Sequence, residues 1–243
     1  MLPKQKIAPM AQNEKAKRCE NCIVRQFNSL GAMSKEELKQ VSNSKITKRI
    51  KKGDTIFEEG ERLNGVFCIR DGVSKLSKLS SNGKDQIVKL AAKGDVIGQR
   101  SVISDENVDL KATAVNDMEV CFIPKDRIVN PLKSNPKFTM EVLKTMASEL
   151  KDSNDVILSL SQKNVKQRIA QALLYLEEHY GVDKEGFLNL NLTREDLASL
   201  VGTALESCIR NVSALKKEGL IKISGKRTGI VDKAVLERFI EDF

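Results

Sequence analysis

A chain of 243 residues, 40% of them apolar, is long enough for two domains with cores of their own and too apolar for a disordered polymer. Its net charge of +8 suggests nucleic acid, yet the excess sits at one end: residues 1–52 carry 13 basic against 4 acidic groups, residues 53–160 carry 15 against 17, and residues 161–243 carry 13 against 12. No apolar run approaches the roughly 18 residues of a membrane span, no signal-peptide core precedes the first polar stretch, and five irregularly spaced cysteines make no secreted disulfide framework, so a cytoplasmic protein with no membrane partner is expected.

The pattern divides the chain at 1–33, 34–131, 132–162 and 163–243. Residues 1–18 are polar and lysine-rich, a lead-in to Cys19-Glu20-Asn21-Cys22, where Lys17 and Arg18 would favour thiolates. Ser34 with Glu37 three residues on forms a capping box, which predicts a helix carrying Leu38 and Val41. From Lys45 to about Pro124 the period shortens to two and glycines punctuate it. Eight short strands are expected, KITKRI, DTIFEE, GVFCIR, VSKLSKL, DQIVKLA, DVIGQ, LKATAV and MEVCFI, with turns at Asp71-Gly72 and Asn82-Gly83. Eight such strands suit a jelly-roll barrel.

After Pro136, the residues Leu143, Met146, Leu150, Ser153, Ile157 and Leu160 recur at alternating steps of three and four, the seam of a coiled coil. A dimer helix is expected. Ser153 weakens its seam, and Asp152, Asn154 and Asp155 surround that weak point with like charge, so the dimer would be marginal and open to switching. A second helix over Val165–His179 leads past Gly181 into a short strand, FLNLNL, ahead of Thr193.

Thr193 to Lys217 reads as two helices hinged at Gly202. Thr193 with Asp196 caps the first, and Thr203 is expected to cap the second. In the second, Leu205, Cys208, Val212 and Leu215 share one face and should meet the core. Glu206, Arg210, Ser213 and Lys217 fall opposite, with Ile209 and Ser207 at the flanks. Arg210 offers a two-donor fork for guanine O6 and N7, and Glu206 accepts from the cytosine amine. The plainer alternative is a solvated face on which Glu206 and Arg210 pair with each other. Beyond Gly219, LIKISGKRTGIV reads as a hairpin wing whose tip residues Lys226 and Arg227 would meet phosphates, and a helix from Lys233 to Phe243 closes the domain.

Taken together, the order resembles the Crp/Fnr superfamily of bacterial transcription regulators. The resemblance rests on TRED at Thr193, ESCIR at 206–210 followed by LKKEGLI, GVFCIRDGVSKL at 65–76 and SQKNVKQRIA from Ser161, and it is greatest toward the FNR-type, anaerobic branch. It implies an α+β fold: an antiparallel jelly-roll barrel like a cyclic-nucleotide-binding domain, a coiled-coil dimer helix and a winged helix-turn-helix. It also implies a homodimer that binds double-stranded DNA at a pseudo-palindromic operator, with RNA polymerase as a further partner of an activator, and operator reading by Glu206 and Arg210. Ile209 stands where the family often has serine or glycine; contact with a thymine methyl would suit it.

The family's two sensors give different expectations. Cyclic-nucleotide members need a carboxylate and an arginine that Gly98-Gln99-Arg100-Ser101 and Lys111-Ala112-Thr113 do not supply, so a cyclic nucleotide is not expected. FNR-type members hold a [4Fe-4S] cluster on four cysteines. Cys19, Cys22 and Cys121 match three of them, and the fourth position falls near Asn28. Iron–sulfur ligands, a redox thiol pair or metal clip, and residues without a sensing role all remain open for these three. Cys68 and Cys208 read as small buried apolar residues, and His179 lies beyond the dimer helix. A barrel that senses another small molecule is the alternative signal. No paired acids, nucleophile triad or phosphate loop points to an enzyme.

Overall fold

A computed structural model describes residues 18–80, 83 and 85–241. The lead-in with Lys17, as well as Asn82 of the second expected turn, lies outside the described residues. Among the described residues, three 3-10 turns over Cys19–Asn21, Ile23–Phe27 and Ser29–Ala32 come first. Helix α1 (Lys35–Ser44) follows with the full Ser34/Glu37 capping box.

Eight strands come next: β1 (Ile46–Ile50), β2 (Thr55–Phe57), β3 (Gly65–Asp71), β4 (Ser74–Leu79), β5 (Asp85–Ala91), β6 (Val96–Ile97), β7 (Lys111–Ala114) and β8 (Met118–Pro124). They form two antiparallel four-stranded sheets, ordered β1-β8-β3-β6 and β2-β7-β4-β5. Among the described residues no ladder joins the sheets into a closed barrel, so the jelly roll is two facing sheets rather than a sealed cylinder. Gly72 makes the β3–β4 turn at φ +86°, where a Cβ would stand 2.3 Å from that of Met118. Alternation sorts the residues: Phe67 and Ile69 of β3 and Met118 and Val120 of β8 point between the sheets, whereas Val66, Cys68, Cys121 and Ile123 point outward. Phe57, Phe67 and Phe122 fill the inter-sheet space, with neighbouring ring centroids 5.8 and 5.2 Å apart.

Two helices were not evident in the pattern, α2 (Gln99–Ser104) and α3 (Asp126–Ser134), and the expected boundary at 131/132 falls inside the latter. Helix α4 (Pro136–Gln162) starts under an Asn135 cap with proline at its first position. Its first turns are anchored by Phe138 and Val142, both buried. Farther along, Leu143, Leu150, Ile157 and Leu160 are 45–65% exposed and Ser153 is exposed, while Met146 is half-buried against the core. An apolar stripe of this length in water is the feature expected of a helix that pairs with another.

Beyond α4 come α5 (Val165–Tyr180), α6 (Arg194–Val201), α7 (Leu205–Lys217), the hairpin β9 (Ile221–Ser224) and β10 (Arg227–Ile230), and α8 (Lys233–Glu241). The expected FLNLNL strand is reduced to one bridge, Val182 to Leu188; Asn189 and Asn191 spend their amides on the carbonyls of Tyr180 and Leu188 instead of a ladder. The outer face of the second sheet, through Val73, Ile87 and Leu90, shares one core with Ile169, Leu173 and Leu176 of α5 and Leu197, Ala198 and Val201 of α6. The sheets and the helical region are therefore packed together. Each fully buried leucine there contributes about 1.5–3 kcal/mol.

Candidate nucleic-acid interface and cysteine site

The recognition element is built by its caps. Thr193 Oγ1 accepts from the Asp196 N–H at 3.0 Å and starts α6. Gly202, at φ +66°, ends it, with its own N–H donated to the Ala198 carbonyl. The cap of α7 differs from expectation: Ala204, not Thr203, holds the N-cap position and gives no side-chain bond, while the Thr203 N–H is taken back to Ala198. The turn is one residue longer than expected, so Thr203 belongs to the hinge.

On α7, Cys208, Val212 and Leu215 are buried and Leu205 is half-buried. Glu206, Ile209, Arg210, Ser213 and Lys217 are exposed on the other side, and Ser207 is half-buried, held by the Asn211 amide. The Ser213 hydroxyl donates to the Ile209 carbonyl at 2.9 Å. Among the described residues Glu206 and Arg210 form no ion pair, with each other or with anything else. Both polar heads are free at the surface of one helix, four residues apart.

The wing is a two-residue hairpin with Gly225 at φ +58° in the first loop position. Its two cations separate. Lys226 is exposed with no ion pair among the described residues, whereas Arg227 lies 4.3 Å over the Phe187 ring and is bonded to Glu185 at 2.6 Å and Asp183 at 3.3 Å. Arg227 is thus paired with carboxylates of its own domain, whereas Lys226 is not. Its partner Asp183 accepts from the Phe187 and Glu185 N–H groups, and these bonds, the Phe187 one foremost, hold its carboxyl below the usual carboxylate range.

Arg168, in the middle of SQKNVKQRIA, has a place that sequence did not reveal. Its guanidinium donates to the carbonyls of Val201 and Lys163, each at 2.9 Å, and of Gly202 at 3.3 Å. One side chain thus ties the end of α4 to the hinge of the recognition element. Leu160 stands at the same place, its Cδ2 3.1 Å from where a Cβ on Gly202 would lie.

The second site lies on the outer face of β3 and β8. Cys68 and Cys121 sit opposite each other in the ladder, and the turns carrying Cys19 and Cys22 cover them, in one core with Phe138 and Val142 of α4. All four are free thiols. Burial pushes Cys68 up to about 12, helped by the charges of Cys121, Cys22 and Cys19 and opposed by the Asn28 amide. Burial also raises Cys121 and Cys208. Among the described residues no three His, Cys, Asp or Glu side chains stand close enough to hold one metal ion. Cys19, Cys68 and Cys121 share one buried cluster with Cys22 half-buried against it, and a multi-iron centre calls for one thiolate on each iron rather than several on one.

At the family's cyclic-nucleotide positions, Gln99 begins α2, Arg100 pairs with Asp109, Lys111 pairs with Glu58 at 3.2 Å, and Ala112 is buried. No helix among the described residues is long and apolar enough to cross a membrane.

Two family models match, the cyclic nucleotide-binding domain over residues 47–135 and the Crp-like helix-turn-helix domain over residues 167–239. The chain is 28% identical over 223 residues to an anaerobic regulatory protein of Pasteurella multocida, covering 90% of this chain and 81% of that one. It is 28% identical over 232 residues to the fumarate and nitrate reduction regulatory protein of Escherichia coli, covering 93% and 92%. In fold it is similar to a putative Crp/Fnr-family transcriptional regulator from Eubacterium rectale, with TM-score 0.74, 21% identity and coverage of 88% and 97%. It is similar also to FixK2 from Bradyrhizobium japonicum, with TM-score 0.70, 23% identity and coverage of 80% and 96%. With both domain models in the expected order, the recognition element in place and the fold shared, the chain belongs to the Crp/Fnr family of DNA-binding transcription regulators.

Proposed function

We propose that this regulator acts as a homodimer that reads a pseudo-palindromic operator through Glu206 and Arg210 and responds to oxygen or redox state through its cysteines. The observation that carries the reading of DNA is the pair of free, exposed polar heads on α7. Arg210 would fork onto guanine O6 and N7, and Glu206 would accept from the cytosine N4 amine. Ile209, 46% exposed beside them, offers an apolar contact for a thymine methyl. Ser207 and Ser213 have hydroxyls beside the reading face, Lys217 and Lys226 bring cations to the phosphates, and Thr203 approaches from the hinge. Two copies held by α4 would set their α7 helices about one helical turn of DNA apart.

The signal is supported by the shared core. The segment Cys19–Ala32 packs on Phe138 and Val142, so a change in how the thiols are held is felt in the first turns of α4. Asn135, the cap of α4, adds a direct tie by donating to Glu37 at 2.8 Å and to the Ala32 carbonyl. When bound, an iron–sulfur cluster supplies an oxygen-labile group, and Cys19, Cys22 and Cys121 would hold three of its corners. The relatives' name, anaerobic regulatory protein, agrees with that signal. The inter-sheet space filled by Phe57, Phe67 and Phe122 favours a scaffold over a nucleotide pocket.

Selection of preferred sites from random duplex DNA by the wild type, Glu206→Ala and Arg210→Ala tests the reading of DNA. The wild type should yield an inverted repeat, and each variant should lose about 1–3 kcal/mol of discrimination at one position per half-site. Unchanged site preference in both variants would sink the assignment.

A further inference from the structure

The resemblance implies a third N-terminal cysteine at or near position 28, where this chain has Asn28, which has no thiolate to give. The structure shows what stands beside that position. Asn28 accepts from the Leu30 N–H at 3.0 Å and donates to the Gly94 carbonyl at 2.8 Å, and its amide approaches the Cys68 Sγ at 3.6 Å. Cys68 is directly opposite Cys121 in the β3–β8 ladder, on the outward face that the cysteine-bearing turns cover. On the other face of the same strand lie Phe67 and Ile69, packed between the sheets. Reading Cys68 as a plain core residue treats the whole strand as interior. The period of two puts this side chain, with Val66, on the side that the cysteine-bearing turns cover.

We propose that Cys68 is the fourth thiolate anchor of the iron–sulfur site, with Cys19, Cys22 and Cys121, so that a strand residue replaces the missing loop cysteine. The assignment rests on the proposed cluster. Its support is the donor set: three buried thiols with Cys22 half-buried against them in one core, and no histidine among them to compete. Each thiol must give up its proton on ligation. Because β3 and β8 are rigid ladder partners, two of the four anchors would be fixed by the sheet and two by the turns. Loss of ligation would then free the turns, which cover α4, and leave the sheet intact.

The test is anaerobic reconstitution of the full chain with ferrous iron and sulfide, read by iron and acid-labile sulfide per chain and by Mössbauer spectra. The wild type, Cys68→Ser, Cys208→Ser and the double variant Cys68→Ser/Asn28→Cys are compared, with circular dichroism melts of the iron-free proteins to compare folding. The proposal expects a cubane spectrum in the wild type and Cys208→Ser, its loss in Cys68→Ser, and its return in the double variant. That return would also show that the single variant had not simply unfolded. A folded Cys68→Ser protein with an unchanged cubane spectrum overturns the assignment and leaves the cluster reading standing. A wild type that takes up no iron overturns the cluster reading, and the assignment falls with it.

Discussion

Lys75 on β4 and Asp196 on α6 form an ion pair that joins the sensor sheet to the first helix of the recognition element, with both side chains less than a quarter exposed. Ser199, one turn on, accepts the Ile87 N–H at 3.0 Å and donates to the Asp85 carbonyl, and Gln86 donates to the Ser199 carbonyl. The edge of β5 is therefore satisfied by a helix of the other region. Replacing Lys75 by alanine leaves Asp196 its Thr193 bond but removes the bridge between regions. A double-mutant cycle of Lys75→Ala with Asp196→Asn, followed by urea unfolding, should give a coupling energy of about 1–2 kcal/mol.

Arg168 makes a second joint. Alanine there strips three carbonyls of a charged donor, which should destabilise the chain by about 2 kcal/mol in the same assay. Because the Val201 and Gly202 carbonyls set the hinge, DNA affinity measured by fluorescence anisotropy should fall as well, although Arg168 itself does not reach the proposed DNA face.

The two wing cations should behave differently. Lys226→Ala should weaken binding to all sequences alike and reduce the slope of log affinity against log salt by about 1, with no change in melting temperature. Arg227→Ala should instead lower the melting temperature, since it loses Asp183, Glu185 and the Phe187 face together. A salt slope that falls in Arg227→Ala as much as in Lys226→Ala would contradict this division.

Asp183 adds a pH dependence of known sign. Its folded pKa lies below the unfolded value because the Phe187 N–H, then the Glu185 N–H and Arg227, favour the carboxylate. The stability it contributes is present above the ordinary carboxylate pKa of about 3.9 and is lost as pH falls through the lower folded value. Asp183→Asn should be less stable than the wild type at neutral pH, and the difference should shrink in acid.

Ser153 is exposed on α4, its hydroxyl turned back to the Glu149 carbonyl at 2.9 Å. If α4 pairs along the proposed seam, Ser153→Leu should tighten the dimer by tenfold or more, since burying a leucine is worth about 1.5–3 kcal/mol. Analytical ultracentrifugation of the iron-free protein reads it directly.

Most of the strands were legible because an alternating run ends at or shortly before a glycine, as at Gly53, Gly60, Gly72 and Gly94, and β1 to β8 fall within or near the runs so marked. The recognition element was legible for the analogous reason at helical period. What escaped depends on contacts between distant residues. Helix α3 carries Pro131, which obscures its period, and α2 has only six residues. The cap at Ala204 follows from the Thr203 N–H being bonded back to the Ala198 carbonyl, which keeps Thr203 in the turn. Arg168, Lys75 and Ser199 are ordinary polar residues until the two regions meet. Cys68 is buried as its sequence suggests, but the face it is buried on, outward and beneath the N-terminal turns, depends on how those turns fold back over β3 and β8.

The central claim is that the state of the thiols governs pairing of α4. Sedimentation velocity of anaerobically reconstituted protein, run on one sample before and after air is admitted, tests it most directly. The account predicts a dimer that becomes largely monomer as the iron is lost. An iron-loaded sample whose sedimentation does not change when its cluster spectrum disappears would contradict it.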